Sequence, residues 1–112
     1  MTVRVVALVT VNDDAPMSLG KYFEATAPLM EKVGARIVER FNVDRSIVGA
    51  VPAQTVLVVE YPDMKAVQDV FESKEYREVT EYRDRAFSTY SVSIVSNDET
   101  EDDTTKTGIT LN

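Results

Sequence analysis

The sequence contains no cysteine and no histidine among its 112 residues. Without cysteine the chain has no disulfide, no thiol nucleophile and no zinc-thiolate site. Without histidine it lacks the usual haem ligand and the usual proton shuttle near neutral pH. Any acid or base must come from Asp, Glu, Tyr or Lys. No phosphate-binding loop or spaced set of carboxylates is visible, so we expect neither a metal site nor a cofactor.

Long apolar runs and a positive net charge are also missing. No run approaches the roughly 20 apolar residues that span a bilayer, and the N-terminus lacks a basic segment followed by an apolar signal region. We therefore expect a cytoplasmic protein. The formal net charge of −7 disfavours binding to nucleic acid or to anionic membrane surfaces. The sequence thus predicts neither kind of partner.

What is present is the composition of an ordinary globular domain, with 44% hydrophobic and 28% charged residues. The C-terminal segment differs from the rest, since residues 96–112 carry five acidic residues and a single lysine. Low hydrophobicity with high charge is typical of disorder. We predict one domain over residues 1–95 and an acidic, disordered tail over residues 96–112.

Two predicted strands are apolar on both faces, residues 2–11 and residues 54–61. Strands of this kind are typical of the centre of a sheet, where both faces are covered. Residues 35–43 and 88–95 instead alternate apolar and polar side chains, which indicates edge strands with one wetter face. The sequence therefore predicts a sheet of four strands, two central and two at the edges.

The first helix is predicted between Pro16 and Gly34. Asp13 or Asp14 is the expected N-cap, and Gly34 stands where a left-handed residue ends a helix. Pro28 removes a backbone hydrogen bond, so it should bend the helix or divide it near Glu24.

A second helical region follows the third strand. Asp63 begins a short helix, and Ser73 is the expected N-cap of a longer one that continues to Phe87. Helical spacing places Tyr76, Val79, Arg83 and Phe87 on one face. A guanidinium between apolar neighbours needs an acceptor, so we expect an acid or a ligand beside Arg83.

The order of these elements is β-α-β-β-α-β, which predicts an α+β ferredoxin-like fold. With right-handed crossovers and the two-faced strands at the centre, the sheet order is 4-1-3-2 and both helical layers lie on one face. The other face is apolar and needs a cover, so we predict a homodimer that closes a dimeric α/β barrel. The apolar loop over residues 44–53 is also expected to pack on something, for example the second subunit.

Several residues in this order resemble the bacterial family of unknown function numbered 1330, in the dimeric α/β-barrel superfamily. The matching positions over residues 2–95 are Tyr22, Pro28, Gly34, the run Val59-Glu60-Tyr61-Pro62, Ala66, Phe71, Ser73, Tyr76 and Arg83. The long loop departs from the family pattern, because Val48 precedes Gly49 where relatives carry an acidic residue. The resemblance implies a fold and a cleft between sheet and helices, and superfamily relatives include cofactor-free monooxygenases, lactone isomerases and haem enzymes. The missing histidine counts against the haem branch.

In such a cleft we place Tyr22, Glu60, Tyr76 and Arg83 as polar groups. Arg83 could hold a carboxylate or enolate, either tyrosine could donate to a carbonyl, and Glu60 could act as a base if burial raised its pKa. Ligand contacts are assigned to Tyr22, Phe71, Tyr76 and Arg83, and catalytic candidates are Glu60, Tyr76 and Arg83. Phe23, Phe71 and Phe87 would form an apolar wall.

A structural interpretation competes with this site. Arg83 would then form an ion pair with Glu60 or another acid, and the tyrosines would be packing residues. Two functions correspond to these interpretations. In the first, a small dimeric protein binds an organic carbonyl or carboxylate compound and could carry out cofactor-free isomerase or monooxygenase-like chemistry. In the second, the protein is a non-catalytic interaction or ligand-sensing module. A closed polar pocket of roughly a few hundred cubic ångströms beside Arg83 would favour the first, and a pocket filled by side chains would favour the second.

Overall fold

In the computed structural model, which describes residues 2–96, one antiparallel sheet of four strands carries helices on a single face. The elements are β1 (Val3–Val11), α1 (Pro16–Val33), β2 (Arg36–Asn42), β3 (Thr55–Tyr61), α2 (Met64–Phe71), α3 (Lys74–Glu78), α4 (Thr80–Ala86) and β4 (Phe87–Val95). The sheet order β2-β3-β1-β4 is the predicted order read from the opposite edge, so the ferredoxin-like α+β fold is confirmed. Apart from Ser96, the segment predicted as an acidic tail lies outside the described residues.

The two central strands divide their residues between two environments. Val5 lies opposite Val59 in the register, and both are buried beneath the helices on what we call the inner face. Val6 lies opposite Val58 on the outer face, where both are only half-buried. All four helices contribute buried residues to the core on the inner face. Within residues 2–96 no helix lies over the apolar outer face, in agreement with the prediction that both helical layers lie on one face.

The start of α1 differs from the prediction, whereas its end agrees. Ala15 is the N-cap and makes no side-chain cap, because its methyl group carries no acceptor. In the preceding turn the side chain of Asn12 accepts the N–H of Asp14 at 3.1 Å. Gly34 ends the helix with φ 82°, and a Cβ there would lie 3.3 Å from Cγ of Pro62. The helix continues through Pro28 without division, so of the two predicted effects the division near Glu24 is wrong and the bend stays a prediction.

The segment predicted as one helix over residues 73–87 is divided in the structure. Val79, with φ −111° and ψ 8°, ends α3, and its N–H donates to the carbonyl of Tyr76 at 3.1 Å. The β-branched pair Val79 and Thr80 lowers helix propensity at this point. Phe87 is already extended and begins β4. The division keeps both Tyr76 and Val79 buried in the core.

The loop between β2 and β3 projects from the described chain. Ile47 and Val48 at its tip are 96% and 87% exposed. The expected packing of this apolar tip is therefore not made by residues 2–96, and its contact with a second subunit stays a prediction. Gly49 has φ 83°, a conformation that favours glycine.

Candidate functional site

A cavity of about 260 Å³ lies between the inner face and the helices α1, α2 and α3. Its wall is almost entirely apolar, and none of the described residues that line it is Asp, Glu, Lys or Arg. The lining residues are Val5, Ala7, Val9, Tyr22, Phe23, Thr26, Ala27, Met30, Ile37, Leu57, Val59, Tyr61, Val70, Phe71, Tyr76, Phe87, Tyr90 and Val92. The cavity can therefore accept an apolar molecule, and its polar character comes from hydroxyl groups.

The exposure of individual lining residues indicates an entrance. Phe23 on α1 is 52% exposed and Ile37 on β2 is 54% exposed, although both line the cavity. Ala27, one helical turn from Phe23, is also exposed. The cavity is therefore accessible to solvent near these three side chains.

Three tyrosines form a hydrogen-bonded group at the cavity wall, which we call the tyrosine cluster: Tyr22, Tyr76 and Tyr90. The hydroxyl of Tyr76 lies 3.2 Å from that of Tyr22 and 3.1 Å from that of Tyr90. Tyr22 and Tyr90 are also hydrogen-bonded to each other. The ring of Tyr22 meets both other rings edge to face, with centroids 6.0 and 5.9 Å away.

Local sequence signals hold two members of the cluster in place. Ser73 caps α3 by accepting the N–H of Tyr76 at 3.0 Å, and it donates to the carbonyl of Val70 at 2.7 Å. In α1 the hydroxyl of Thr26 donates to the carbonyl of Tyr22 at 2.9 Å. Because Thr26 uses its proton in this bond, it offers none to the cavity.

The protons of the tyrosine cluster can be counted. Each phenol has one O–H donor and two acceptor lone pairs. Three mutual hydrogen bonds therefore use all three hydroxyl protons, and Arg83 Nη1 adds a fourth bond by donating to the Tyr76 hydroxyl at 3.3 Å. The closed ring retains lone pairs but no free proton.

Arg83 lies behind the tyrosine cluster and does not line the cavity. Its guanidinium carbon is 5.8 Å from the ring centroid of Tyr76 and 5.4 Å from that of Tyr90. It forms an ion pair with the exposed Asp84, with Nη2 3.1 Å from Oδ1. Burial alone would lower the pKa of Arg83, but its interactions with Tyr76 and Asp84 raise it overall. The predicted acidic partner of Arg83 is therefore Asp84 at the surface and not Glu60.

Burial raises the pKa of Tyr22, Tyr61 and Tyr90, which line the cavity. Burial and the neighbouring Tyr90 raise the pKa of Tyr22, and burial also raises the pKa of Tyr90. Burial raises the pKa of Tyr61 to about 12, with a contribution from Tyr76. These phenols stay protonated at neutral pH. They can donate or accept hydrogen bonds there, but they do not supply a phenolate base.

Glu60 lies on the outer face, away from the cavity. It stands opposite Arg4 in the register, and its carboxylate oxygens lie 3.1 Å from Nη2 of Arg36 and 3.6 Å from Nε of Arg4. Neighbouring residues of a strand point to opposite faces, so Glu60 and Tyr61 cannot both face the cavity. The expected position of Glu60 beside the cleft is therefore wrong, and Glu60 is left out of the site proposed below.

The other residues chosen from the sequence lie as follows. Tyr22, Phe71 and Tyr76 line the cavity, and so do the expected wall residues Phe23 and Phe87. Tyr61 and Tyr90 also line it and were not chosen. Both lie at inward-facing positions of strands, where a tyrosine in the sequence cannot be told from an ordinary core residue. The missed signal was that a phenol on a face of aliphatic residues needs a partner for its hydroxyl.

A second depression, of about 520 Å³, lies at the surface between the end of α1 and the helices α2 and α3. Lysines and carboxylates line it, and Lys65 is already paired with Asp69 at 3.0 Å. Since this pair is exposed, we treat the depression as ordinary solvated surface. Among residues 2–96 no cluster of His, Cys, Asp or Glu is arranged to hold a metal ion. None of the described helices has the length and apolar character needed to cross a membrane.

The fold and cavity together define the class: an α+β ferredoxin-like protein with a cavity between sheet and helices. The chain belongs to the family described as Domain of unknown function (DUF1330), whose model matches residues 2–97. A comparison with curated protein sequences finds no match.

Solved structures resemble the chain at low sequence identity. Two structures of a protein of unknown function from Rhodopseudomonas palustris, one of them methylated, are 18% identical, with TM-scores of 0.72 and 0.70. The two matches cover 86% and 84% of this chain, and each covers 80% of the Rhodopseudomonas palustris chain. An antibiotic biosynthesis monooxygenase is 15% identical, with a TM-score of 0.58 over 87% of this chain and 98% of its own. A dimeric ferredoxin-like protein of unknown function from Bacteroides fragilis is 14% identical, with a TM-score of 0.51 over 86% and 96%. These likenesses show the fold.

Proposed function

We propose that the protein binds a small, largely apolar organic molecule in the cavity between the inner face and the helices. The observation that carries this proposal is the open cavity of about 260 Å³ with an almost wholly apolar wall. An engineered apolar cavity of about 150 Å³ holds benzene, so this volume suits a molecule of roughly one or two rings. Such a molecule would enter between Phe23 and Ile37, and its oxygen-bearing end would meet the hydroxyls of the wall.

The cavity supports binding more directly than catalysis. No carboxylate lines it, and the raised pKa values of Tyr22, Tyr61 and Tyr90 leave these phenols protonated at neutral pH. A proton abstraction would therefore need a base from outside the wall. The likeness to a monooxygenase lies in the fold, and cofactor-free isomerase or monooxygenase-like chemistry stays a secondary proposal.

The alternative function is a non-catalytic ligand-sensing or interaction module. The missing base in the cavity wall favours this alternative over an enzyme. The two functions differ in turnover, since a sensing module returns its ligand unchanged. Incubation of a bound compound with the protein in air, followed by mass spectrometry, separates them. Conversion of the compound would support an enzyme.

The binding proposal can be tested by titration with naphthalene, whose fluorescence changes on entering an apolar cavity. Ala27→Phe places a phenyl group at the entrance and should abolish binding. Glu31→Phe places the same group on an exposed part of α1 outside the cavity lining and should leave binding unchanged. Equal binding by both variants, or no binding by the unaltered protein, would contradict the proposal.

We also propose that two copies of the chain form a dimer through their outer faces. No helix of the described residues covers Val6 and Val58 on this face, and a structural neighbour from Bacteroides fragilis is described as dimeric. Sedimentation at micromolar concentration should give twice the mass of one chain. A monomer would contradict the proposal. A cytoplasmic location, a lack of nucleic-acid partners and disorder of the tail stay predictions from the sequence.

A further inference from the structure

We propose that Tyr61 is the residue that donates a hydrogen bond to an acceptor oxygen of the ligand. This inference rests on the proposed binding function and assigns a polar contact within the same cavity. Tyr61 is the last residue of β3, is 1% exposed, and lines the cavity on the inner face. Its ring lies next to Phe71, with centroids 6.4 Å apart.

The Tyr61 hydroxyl makes no hydrogen bond to any other residue within the described range 2–96. A buried hydroxyl without a partner is destabilising, and most buried polar groups in folded proteins are paired. A ligand oxygen in the adjoining cavity would supply the missing acceptor.

The other hydroxyls of the wall are already committed. Thr26 donates to the carbonyl of Tyr22. The three hydroxyl protons of the tyrosine cluster are used in its mutual hydrogen bonds. Of the five hydroxyl side chains that line the cavity, Tyr61 alone keeps its proton available within the described structure. This differs from the sequence-based expectation that Tyr22 or Tyr76 donates to a carbonyl.

The surroundings of Tyr61 also narrow the chemistry of the ligand. Its proton is retained at neutral pH because burial raises its pKa to about 12. No cation lines the cavity, so a carboxylate would bring an unpaired charge into an apolar site. A neutral ketone, aldehyde, ester or lactone carbonyl avoids this cost. We therefore infer a carbonyl compound rather than a carboxylate.

Two matched bicyclic probes, 1-indanone and 1-methyleneindane, test this contact. They differ only in that the carbonyl oxygen of the first is replaced by a methylene group in the second. Calorimetric titration of the full chain should show that the ketone binds about 2-fold to 12-fold more tightly, the range expected for one net hydrogen bond. Tyr61→Phe should remove this preference and leave the affinity for the hydrocarbon unchanged. Tyr82→Phe removes a phenol outside the cavity lining and should keep the preference.

The outcomes separate this inference from the proposed function. If both probes bind and Tyr61→Phe still prefers the ketone, the inference is overturned while the binding function stands. If neither probe binds, the proposed function fails too. Without ligand, Tyr61→Phe should melt at the same or a higher temperature, because it removes an unpaired polar group. A clear drop in melting temperature would reveal an existing partner for the hydroxyl and would also overturn the inference.

Discussion

The two faces of the sheet are built from the same strands and yet differ in every property that bears on function. The inner face carries a cavity, the tyrosine cluster and most of the buried residues. The outer face carries half-buried valines at its centre, and near one end Glu60 is paired with Arg4 and Arg36. Alternation along β1 and β3 assigns each residue to one face, so two separate binding surfaces can be encoded in one pair of strands.

This difference indicates two kinds of partner. The inner face is concave and partly empty, which suits a small molecule. The outer face is an apolar sheet surface that none of the described helices covers, which suits a second sheet. Substitutions on one face should therefore leave the property of the other face intact. The following predictions test that independence.

The largest effect is expected at the centre of the outer face. Val58→Asp would bury an unpaired carboxylate between two subunits, so the dimer should dissociate completely at micromolar concentration. Gln68→Asp adds the same charge at an exposed position of α2, which packs on the inner face, and should keep the dimer. Sedimentation velocity measures both. A Val58→Asp protein that still sediments as a dimer would contradict the proposed interface.

The second effect concerns the inner face. Tyr76 is 4% exposed, so Tyr76→Ala should lower the free energy of unfolding by about 3–5 kcal/mol, as for other large-to-small core substitutions. Tyr76→Phe keeps the ring and should cost only about 1 kcal/mol for the lost hydrogen bonds. Urea unfolding measures both variants. A loss below about 1 kcal/mol for Tyr76→Ala would mean that the ring does not support the core.

The third effect is a fall in stability at alkaline pH. The folded pKa values of Tyr22, Tyr61 and Tyr90 lie above the ordinary value, so the unfolded chain loses these protons first as pH rises. Their contribution is fully present below about pH 10 and declines above it, for Tyr61 until about pH 12. Each phenol adds a slope of up to about 1.4 kcal/mol per pH unit.

Urea unfolding between pH 9 and pH 12, values chosen to bracket the ordinary tyrosine pKa of about 10, tests this dependence. Tyr61→Phe should reduce the slope because it removes one of the titrating phenols. Equal slopes for the unaltered protein and Tyr61→Phe would mean that Tyr61 does not titrate differently in the folded state.

The smallest effects on stability and binding are expected for the two charged site candidates, Arg83 near the inner face and Glu60 on the outer face. Arg83→Met loses an exposed ion pair and one hydrogen bond to Tyr76, so stability should fall by about 1 kcal/mol. Glu60→Gln should change stability by no more than about 1 kcal/mol. Neither residue lines the cavity, so both variants should bind 1-indanone within about twofold of the unaltered protein. Loss of binding in either variant would place that residue in the site.

The sheet was predictable because its signals are local and strong. The runs of β-branched residues apolar on both faces identify β1 and β3 as central, and together with right-handed crossovers this gives the order of all four strands. Helical spacing similarly indicated Tyr22 and Tyr76. The family resemblance agreed with both and added the cleft between sheet and helices.

The rest depends on long-range geometry. Tyr90 joins the cluster from β4, 68 residues from its partner Tyr22, and no local pattern encodes that meeting. The division at Val79 reflects packing that overrides a helical pattern. The position of Glu60 could have been predicted, because neighbouring residues of a strand point to opposite faces and Glu60 therefore cannot share a face with Tyr61. The family motif around Glu60 led to its assignment to the cleft, although its position in β3 places it on the outer face.

The most direct measurement is the location of a heavy-atom probe in crystals soaked with 5-bromo-1-indanone. Anomalous scattering from bromine locates the compound without assumptions about which face binds it. We expect a bromine peak in the inner-face cavity with the ketone oxygen within hydrogen-bonding distance of the Tyr61 hydroxyl. A peak confined to the outer face, or an empty cavity at saturating probe, would contradict the central claim that the inner face is the ligand-binding surface.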